Sequence, residues 1–296
     1  MPSILVRFCG LIWLVIPQLG LAGDSNFDIK RVDASTISYT GGIVSGKSFV
    51  ALEDALTDAT TTLIVRSHGG DLHEGLRMGA LIAARKLNVE VDAYCLSSCA
   101  NNIFLAGYSK RLRAGAVLGF HGAMNTNQGQ IDALEVLSEA DLRSSLEKKN
   151  LYFNDLAVRE WQFLRELKLA PNIHVALVNK LEAALPPNKV DWIVTLGGKR
   201  YTVSDGADSR DRILKLIRRK LMRQPKLLKS GLEITRQNPY GDALFFPRQS
   251  TLEKFGVREI VEYPYPNDAS ELGALTKGLM EKYDFAAIRV AGEFDN

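Results

Sequence analysis

Three short polar stretches in the first half of the chain carry residue types suited to nucleophilic chemistry. They read Ser67-His68-Gly69-Gly70-Asp71, Cys95-Leu96-Ser97-Ser98-Cys99-Ala100 and Leu118-Gly119-Phe120-His121-Gly122. Together they offer glycine amides that can approach a substrate, serine hydroxyls at a helix start and an imidazole between glycines. A hydroxyl activated by an imidazole, beside amides that stabilise negative charge, is the machinery of acyl transfer. Taken singly, each stretch has another interpretation: a turn, helix caps or a packed histidine.

All three stretches fall where a predicted strand ends. Apolar runs predict strands over residues 36–43, 62–66, 89–94 and 117–120, and helical spacing predicts helices over 49–56, 72–87 and 97–106. Strand and helix in this rhythm predict an α/β layer with largely parallel strands. The carboxyl ends of such strands form the edge where a cleft opens.

The second half of the chain is more helical. Residues 134–169 predict two helices, and residues 174–185 predict another that is stopped by Pro186 and Pro187. Two short strands follow over 192–196 and 200–203, and residues 213–222 predict a basic amphipathic helix. The tail is a mixed C-terminal extension.

Residues 1–23 have the pattern of a secretory signal peptide. Arg7 precedes an apolar run over residues 8–21, and small residues precede the polar stretch that begins at Asp24. We therefore expect an exported protein, periplasmic or secreted, with an uncleaved membrane anchor as the alternative. The predicted division is a signal peptide over 1–23, an α/β domain over 24–207 and a basic helix with extension over 208–296.

The cysteines agree with export. Cys9 lies in the signal peptide, and Cys95 and Cys99 are left as a pair that predicts a disulfide in an oxidising compartment. Two small buried thiols are the alternative interpretation. No second Cys or His pair has ligand spacing, and no nucleotide-binding stretch is found, so we expect neither a metal nor a cofactor.

Positive charge is concentrated in one segment. The whole chain carries +3, whereas residues 208–229 hold nine Arg or Lys against two Asp, or +7, which leaves about −4 elsewhere. Such a run is typical of a solvated helix face, and contact with an anionic membrane surface through Arg210 to Lys229 is the second interpretation. No aromatic residue interrupts the run, so nucleic acid is not expected as a partner.

The three stretches, in this order, resemble a known family over roughly residues 37–207. Ser67-x-Gly69-Gly70, the block that ends Phe104-Leu105-Ala106-Gly107, and Gly119-Phe120-His121 are similar to blocks of the Clp protease peptidase subunit, within the crotonase-like superfamily. The closest resemblance is to exported relatives marked by Cys-x-Ser-Ser-Cys-Ala. The resemblance implies repeated β-β-α units with a largely parallel sheet.

The resemblance also implies roles for individual residues. Counting back from Ala106-Gly107 puts Ser98 on the nucleophile position, and His121, 23 residues later, on that of the general base. The amides of Gly70 and Cys99 would form the oxyanion hole. A peptide or protein substrate and a homo-oligomer are implied as well.

The third catalytic residue is less well marked. Asp191 matches the acid by its place after the helical segment, while Asp205 and Asp155 compete with it, and a solvent-exposed turn carboxylate is the other interpretation of Asp191. The predicted function is an exported serine hydrolase, most simply a peptidase. A catalytically inactive binding or assembly protein of the periplasm, built on the same fold, is the alternative.

Overall fold

The computed structural model describes residues 26–122, 155–185, 191–204, 208–224, 232–236, 243–283 and 288–294. The chain divides into two compact units. Of these residues, the larger unit comprises 26–122, 155–185, 243–283 and 288–294, and the smaller comprises 191–204, 208–224 and 232–236. The predicted signal peptide lies outside the described residues. Among the helices that are described, none combines the length and the apolar character needed to cross a bilayer.

Short elements alternate along the described chain. The strands are β1 (Phe27–Arg31), β2 (Thr36–Gly41), β3 (Thr62–Ser67), β4 (Asn88–Leu96), β5 (Lys110–Leu112), β6 (Val117–Gly119), β7 (Asp191–Leu196), β8 (Lys199–Ser204), β9 (Leu232–Arg236), β10 (Ala243–Phe246), β11 (Ile260–Glu262) and β12 (Arg289–Gly292). The α-helices are α1 (Ser48–Ala55), α2 (Leu72–Ala84), α3 (Asp155–Glu166), α4 (Ile173–Ala184), α5 (Ser209–Arg223), α6 (Gln249–Lys254) and α7 (Ala269–Tyr283). One further helix, Cys99–Phe104, is a π-helix.

The larger unit is built on a mostly parallel sheet. Its strands lie in the order β1-β2-β3-β4-β5-β11, and β6 also pairs with β4. The pair β1-β2 is antiparallel, and every other pair in this sheet is parallel. The predicted mixed α/β class with a largely parallel sheet is thus confirmed.

Strand β4 is the centre of this arrangement because it has different partners along its length. Its first half pairs with β5, while its last three residues pair with β6, so that Leu96 lies opposite Gly119. On the other side, β3 follows β4 as far as the pair of Ser67 with Cys95. The carboxyl ends of β3, β4 and β6 therefore lie together, as the parallel pattern requires.

Alternating burial along the strands builds the core under this edge. Leu63 and Val65 of β3 and Val89 and Val91 of β4 are fully buried. Helix α2 approaches the π-helix very closely, since a Cβ added at Gly79 would lie 2.7 Å from the Asn102 backbone oxygen. Close-packed apolar side chains and a glycine contact thus hold the segment that follows β4.

The smaller unit is a three-stranded antiparallel sheet with one helix. Its strand order is β8-β7-β9. Ile213 and Ile217 of α5 form a buried cluster with Val194 of β7. The apolar side of the basic helix α5 therefore packs on one face of this sheet.

The C-terminal tail belongs to the larger unit. Strand β11 extends the central sheet beside β5, and β10 and β12 form a parallel pair. Phe245 of β10 also bridges Phe120. The basic helix lies in the smaller unit, and the described residues from 243 onward lie in the larger one. The predicted division at residues 207 and 208 stays a prediction.

Candidate active site

Ser97 occupies a sharp turn between β4 and the helix that follows. Its φ is +55°, in the left-handed region that costs a non-glycine residue about 1–2 kcal/mol. Between Ala93 and Gly107, a stretch that the structure describes completely, Ser97 is the only residue that is not buried. Ser97 is therefore the one partly exposed residue of an otherwise buried segment.

The pairing of β6 with β4 brings His121 to this hydroxyl. The Ser97 amide donates to the Gly119 carbonyl at 2.9 Å and so continues the ladder one residue beyond Leu96. His121 follows two residues after Gly119, and its Nε2 lies 2.6 Å from Ser97 Oγ. This is the separation expected between a serine nucleophile and its base.

Ser98, which the sequence analysis placed as the nucleophile, has a different environment. Its hydroxyl donates to the Gly70 carbonyl at 2.9 Å, and the residue is 4% exposed. A carbonyl oxygen cannot accept a proton as a general base does. The structure thus brings His121 to Ser97 and not to Ser98.

The segment after Ser98 is the π-helix Cys99–Phe104. A π-helix bonds residue i to i+5 and behaves as an α-helix with an inserted residue. The count from Ala106-Gly107 back to Ser98 crosses this helix.

A disulfide closes this segment, as the sequence predicted. Cys95 in β4 and Cys99 at the start of the π-helix are bonded, with their Cα atoms 5.2 Å apart. Both residues are fully buried. Because Cys95 is also fixed in the sheet by its pairing with Ser67 and Leu118, the bond anchors the first turn of the π-helix to the sheet.

Gly69 packs closely against the turn that carries Ser97. Its φ is +87°, and a Cβ added there would lie 2.9 Å from the Ser98 nitrogen and 2.6 Å from the Leu96 oxygen. The Gly69 carbonyl accepts a hydrogen bond from the Ile43 amide, which fixes the loop to the segment after β2. A side chain at this position would displace the turn that carries Ser97.

Gly70 and Cys99, whose amides are predicted to form the oxyanion hole, both neighbour Ser98. Gly70 has a φ of +144°, and its carbonyl oxygen accepts a hydrogen bond from the Ser98 hydroxyl. Cys99 is the first residue of the π-helix. Amides in the first turn of a helix have no acceptor within that helix, so they can bind an anion.

His121 is neutral at physiological pH. Burial lowers its pKa to about 4, because the charged imidazolium would lose hydration. The residue retains some exposure, but its Nδ1 is shielded from solvent and has no hydrogen-bond partner among the described residues. For Nε2 to accept the Ser97 proton, the ring proton must be on Nδ1. A buried, unpaired N–H costs about 1–3 kcal/mol, so this nitrogen is where an orienting acceptor belongs.

No carboxylate of the described residues hydrogen-bonds to His121, so the third catalytic residue stays a prediction. Asp191 is the first residue of β7 in the smaller unit, where it lies opposite Ser204. Asp155 begins α3, and Asp205 lies outside the described residues.

Two buried asparagines support the site in a way that the sequence analysis did not specify. The Asn101 side chain donates to the Gly122 carbonyl at 2.8 Å, and that of Asn102 donates to the Ser98 carbonyl at 3.2 Å. Asn101 therefore connects the π-helix to the residue after His121. In the sequence, an Asn pair within an otherwise apolar helix is the pattern that could have indicated these contacts, because buried side-chain amides require hydrogen-bond partners.

The described residues contain no group of three or more His, Cys, Asp or Glu side chains arranged to hold a metal ion.

Comparison with family models and with curated proteins finds no match for this chain. Among solved structures, an enoyl-CoA hydratase from Mycobacterium avium subsp. paratuberculosis K-10 is 14% identical, over 48% of this chain and 84% of its own, with a TM-score of 0.26. A putative enoyl-CoA hydratase from Rhodopseudomonas palustris CGA009 is 11% identical, over 67% of this chain and 97% of its own, with a TM-score of 0.27.

Proposed function

We propose that the larger unit is a serine hydrolase in which Ser97 is the nucleophile and His121 is the general base. One observation carries the proposal, the 2.6 Å approach of His121 Nε2 to Ser97 Oγ at a strained strand-to-helix turn. The partial exposure of Ser97 supports it further, because a nucleophile must be reachable by substrate. The sequence pointed to the same chemistry one residue later, at Ser98.

In the first step, Ser97 Oγ attacks the carbonyl carbon of an amide or ester while its proton passes to His121 Nε2. The carbonyl π electrons move to oxygen and give a tetrahedral oxyanion. Its collapse breaks the bond to the leaving group, which takes the proton from Nε2. Ser97 is then acylated and His121 is neutral again.

In the second step, water replaces the leaving group. His121 Nε2 accepts a proton from water, the hydroxide attacks the acyl carbon, and the bond to Ser97 Oγ breaks as that oxygen regains a proton. The backbone amides of Ser98 and Gly70 are the proposed oxyanion donors, with Cys99 as the adjacent amide of the same helix start. Removal of one such donor typically lowers the rate by about 10² to 10³.

A peptide or protein is the proposed substrate, and the space outside the cytoplasm is the proposed location. The substrate class follows from the resemblance to Clp peptidase subunits. Location is supported by the signal-peptide pattern and by the Cys95–Cys99 disulfide, since such bonds persist in oxidising compartments.

The second candidate is a binding or assembly protein in which Ser97 and His121 only pack. The observation in its favour is that His121 Nδ1 has no partner among the described residues. Such a protein would have no need of a nucleophile, so a test of Ser97 reactivity separates the two candidates.

Labelling with a fluorophosphonate, followed by mass mapping of the adduct, tests the proposal. We expect the wild-type chain to be labelled on Ser97, and Ser97→Ala to be unlabelled. His121→Ala should react about 10² to 10⁴ times more slowly, which is the usual contribution of a general base. Ser98→Ala should still be labelled.

Two controls make the result decisive. Ser45 is exposed, and Ser45→Ala should be labelled like the wild type. Ser98→Ala loses one hydrogen bond to Gly70, worth about 0.5–1.5 kcal/mol, so its Tm shows whether any change in labelling is due to unfolding. An adduct on Ser98 would show that Ser98, and not Ser97, is the nucleophile. A folded wild-type chain that forms no adduct would favour the binding or assembly protein.

A further inference from the structure

The outward face of α5 is strongly basic. Its exposed residues include Lys215, Arg218, Arg219 and Arg223, which recur at helical spacing. The helix Ser209–Arg223 contains seven Arg or Lys residues and one Asp, a net charge of +6. This helix accounts for most of the positive charge that the sequence concentrates between residues 208 and 229.

Other cations of the helix have partners within the smaller unit. Arg212 donates to the Ser204 carbonyl at 2.6 Å and pairs with Asp208 at 3.1 Å. Lys220 lies over the Tyr201 ring, 4.4 Å from its centroid. These side chains are used in holding α5 against its sheet.

The cations on the outward face differ from Arg212 in their ion pairing. No acidic side chain in the described part of the chain forms an ion pair with Lys215, Arg218, Arg219 or Arg223. Four cations on one face, without an ion-pair partner among the described side chains, produce a positive potential that attracts anionic surfaces. An excess of one sign on a helix face favours association with an anionic surface.

An exposed methionine lies within the same face. Met222 is 79% exposed, and it stands beside Arg223 and one turn after Arg218 and Arg219. Cations together with an apolar side chain suit a bilayer interface, where the cations meet head groups and the apolar group enters the acyl boundary. Nucleic acid would instead favour an aromatic platform, and Tyr201 of this unit is covered by Lys220.

We propose that this face of α5 binds an anionic phospholipid surface. Lys215, Arg218, Arg219 and Arg223 contact lipid phosphates, and Met222 enters the interface. The contact is peripheral and reversible, and it is independent of the chemistry at Ser97.

Sedimentation of the full chain with vesicles tests the proposal. Vesicles of phosphatidylcholine with about 30% phosphatidylglycerol should bind the chain more tightly than vesicles of phosphatidylcholine alone. Each cation near an anionic surface contributes about fivefold in affinity, so Lys215→Gln/Arg218→Gln/Arg219→Gln should weaken binding about 100-fold. Raising the salt concentration should weaken wild-type binding in the same direction.

A matched variant removes the same charge elsewhere. Lys47, Lys254 and Lys277 are exposed cations of the larger unit, and Lys47→Gln/Lys254→Gln/Lys277→Gln should bind like the wild type. An equal loss in both triple variants, equal binding to the two kinds of vesicle, or binding that salt leaves unchanged would overturn the proposal. So would capture by heparin or single-stranded DNA without any binding to anionic vesicles. The wild-type salt and lipid dependence decides the matter even if the first variant does not fold.

Discussion

Reduction of the disulfide is expected to lower the reactivity of Ser97 and the stability of the fold together. Cys95 and Cys99 are four residues apart in sequence, and their bond closes the loop that contains Ser97. The backbone at Ser97 is left-handed, a conformation from which a serine gains about 1–2 kcal/mol by relaxing. Without the bond, the first turn of the π-helix loses its covalent anchor to β4.

The expected magnitudes follow from the length of the loop and from the strain. Cross-linking a loop this short lowers the entropy of the unfolded chain by an amount worth about 2 kcal/mol. If the turn relaxes with a gain of about 1 kcal/mol, the form in which Ser97 Oγ contacts His121 becomes about fivefold less populated than the relaxed form. We therefore expect a loss of about 1–2 kcal/mol in the free energy of unfolding and a roughly fivefold slower reaction with a fluorophosphonate.

The measurement compares oxidised wild-type protein with the same protein refolded in reductant, because both forms keep the two sulfur atoms. Urea denaturation gives the free energy of unfolding, and labelling kinetics give the reactivity. Cys95→Ala/Cys99→Ala should be insensitive to reductant, which excludes effects of reductant elsewhere. Equal labelling rates in the two forms, with stability lower by about 2 kcal/mol, would refute the idea that the bond holds the turn.

Two further predictions concern the same pair of residues. Ser97→Gly should be more stable than Ser97→Ala by about 1 kcal/mol in urea denaturation, because only glycine adopts a φ of +55° without strain, and equal stabilities would argue against the left-handed turn. The labelling rate should be flat from about pH 8 to about pH 6 and should fall as the pH drops through about 4, the pKa of buried His121. A midpoint near 6.5, the ordinary pKa of histidine, would indicate a solvated ring. Since the folded pKa lies below the unfolded one, the free energy of unfolding should also decrease as the pH falls from 6.5 towards 4.

The pattern of apolar residues predicted the elements that position the site. A strand was expected over residues 62–66 and β3 spans Thr62–Ser67, and a helix expected over 72–87 corresponds to α2 at Leu72–Ala84. These elements are long enough, and buried regularly enough, for their periodicity to be visible. The link between Cys95 and Cys99 was also predictable from residue type and compartment.

Other features depend on contacts that periodicity does not encode. Strand β11 has three residues and pairs with β5, which lies far away in sequence, so tertiary packing and not local pattern determines it. Ser97 adopts a left-handed backbone that its residue type does not favour. Such a conformation is imposed by surrounding bonds, and strain of this kind is concentrated at functional sites.

The restraints around the turn act on Ser97 and His121, and they support the proposal that these two side chains work as a pair. The Ser97 amide is bonded to Gly119, two residues before His121, and Asn101 holds Gly122, one residue after it. The disulfide fixes the π-helix to the same strand. Each restraint has a structural use by itself, but their common effect is to keep two side chains 2.6 Å apart against a backbone strain of about 1–2 kcal/mol.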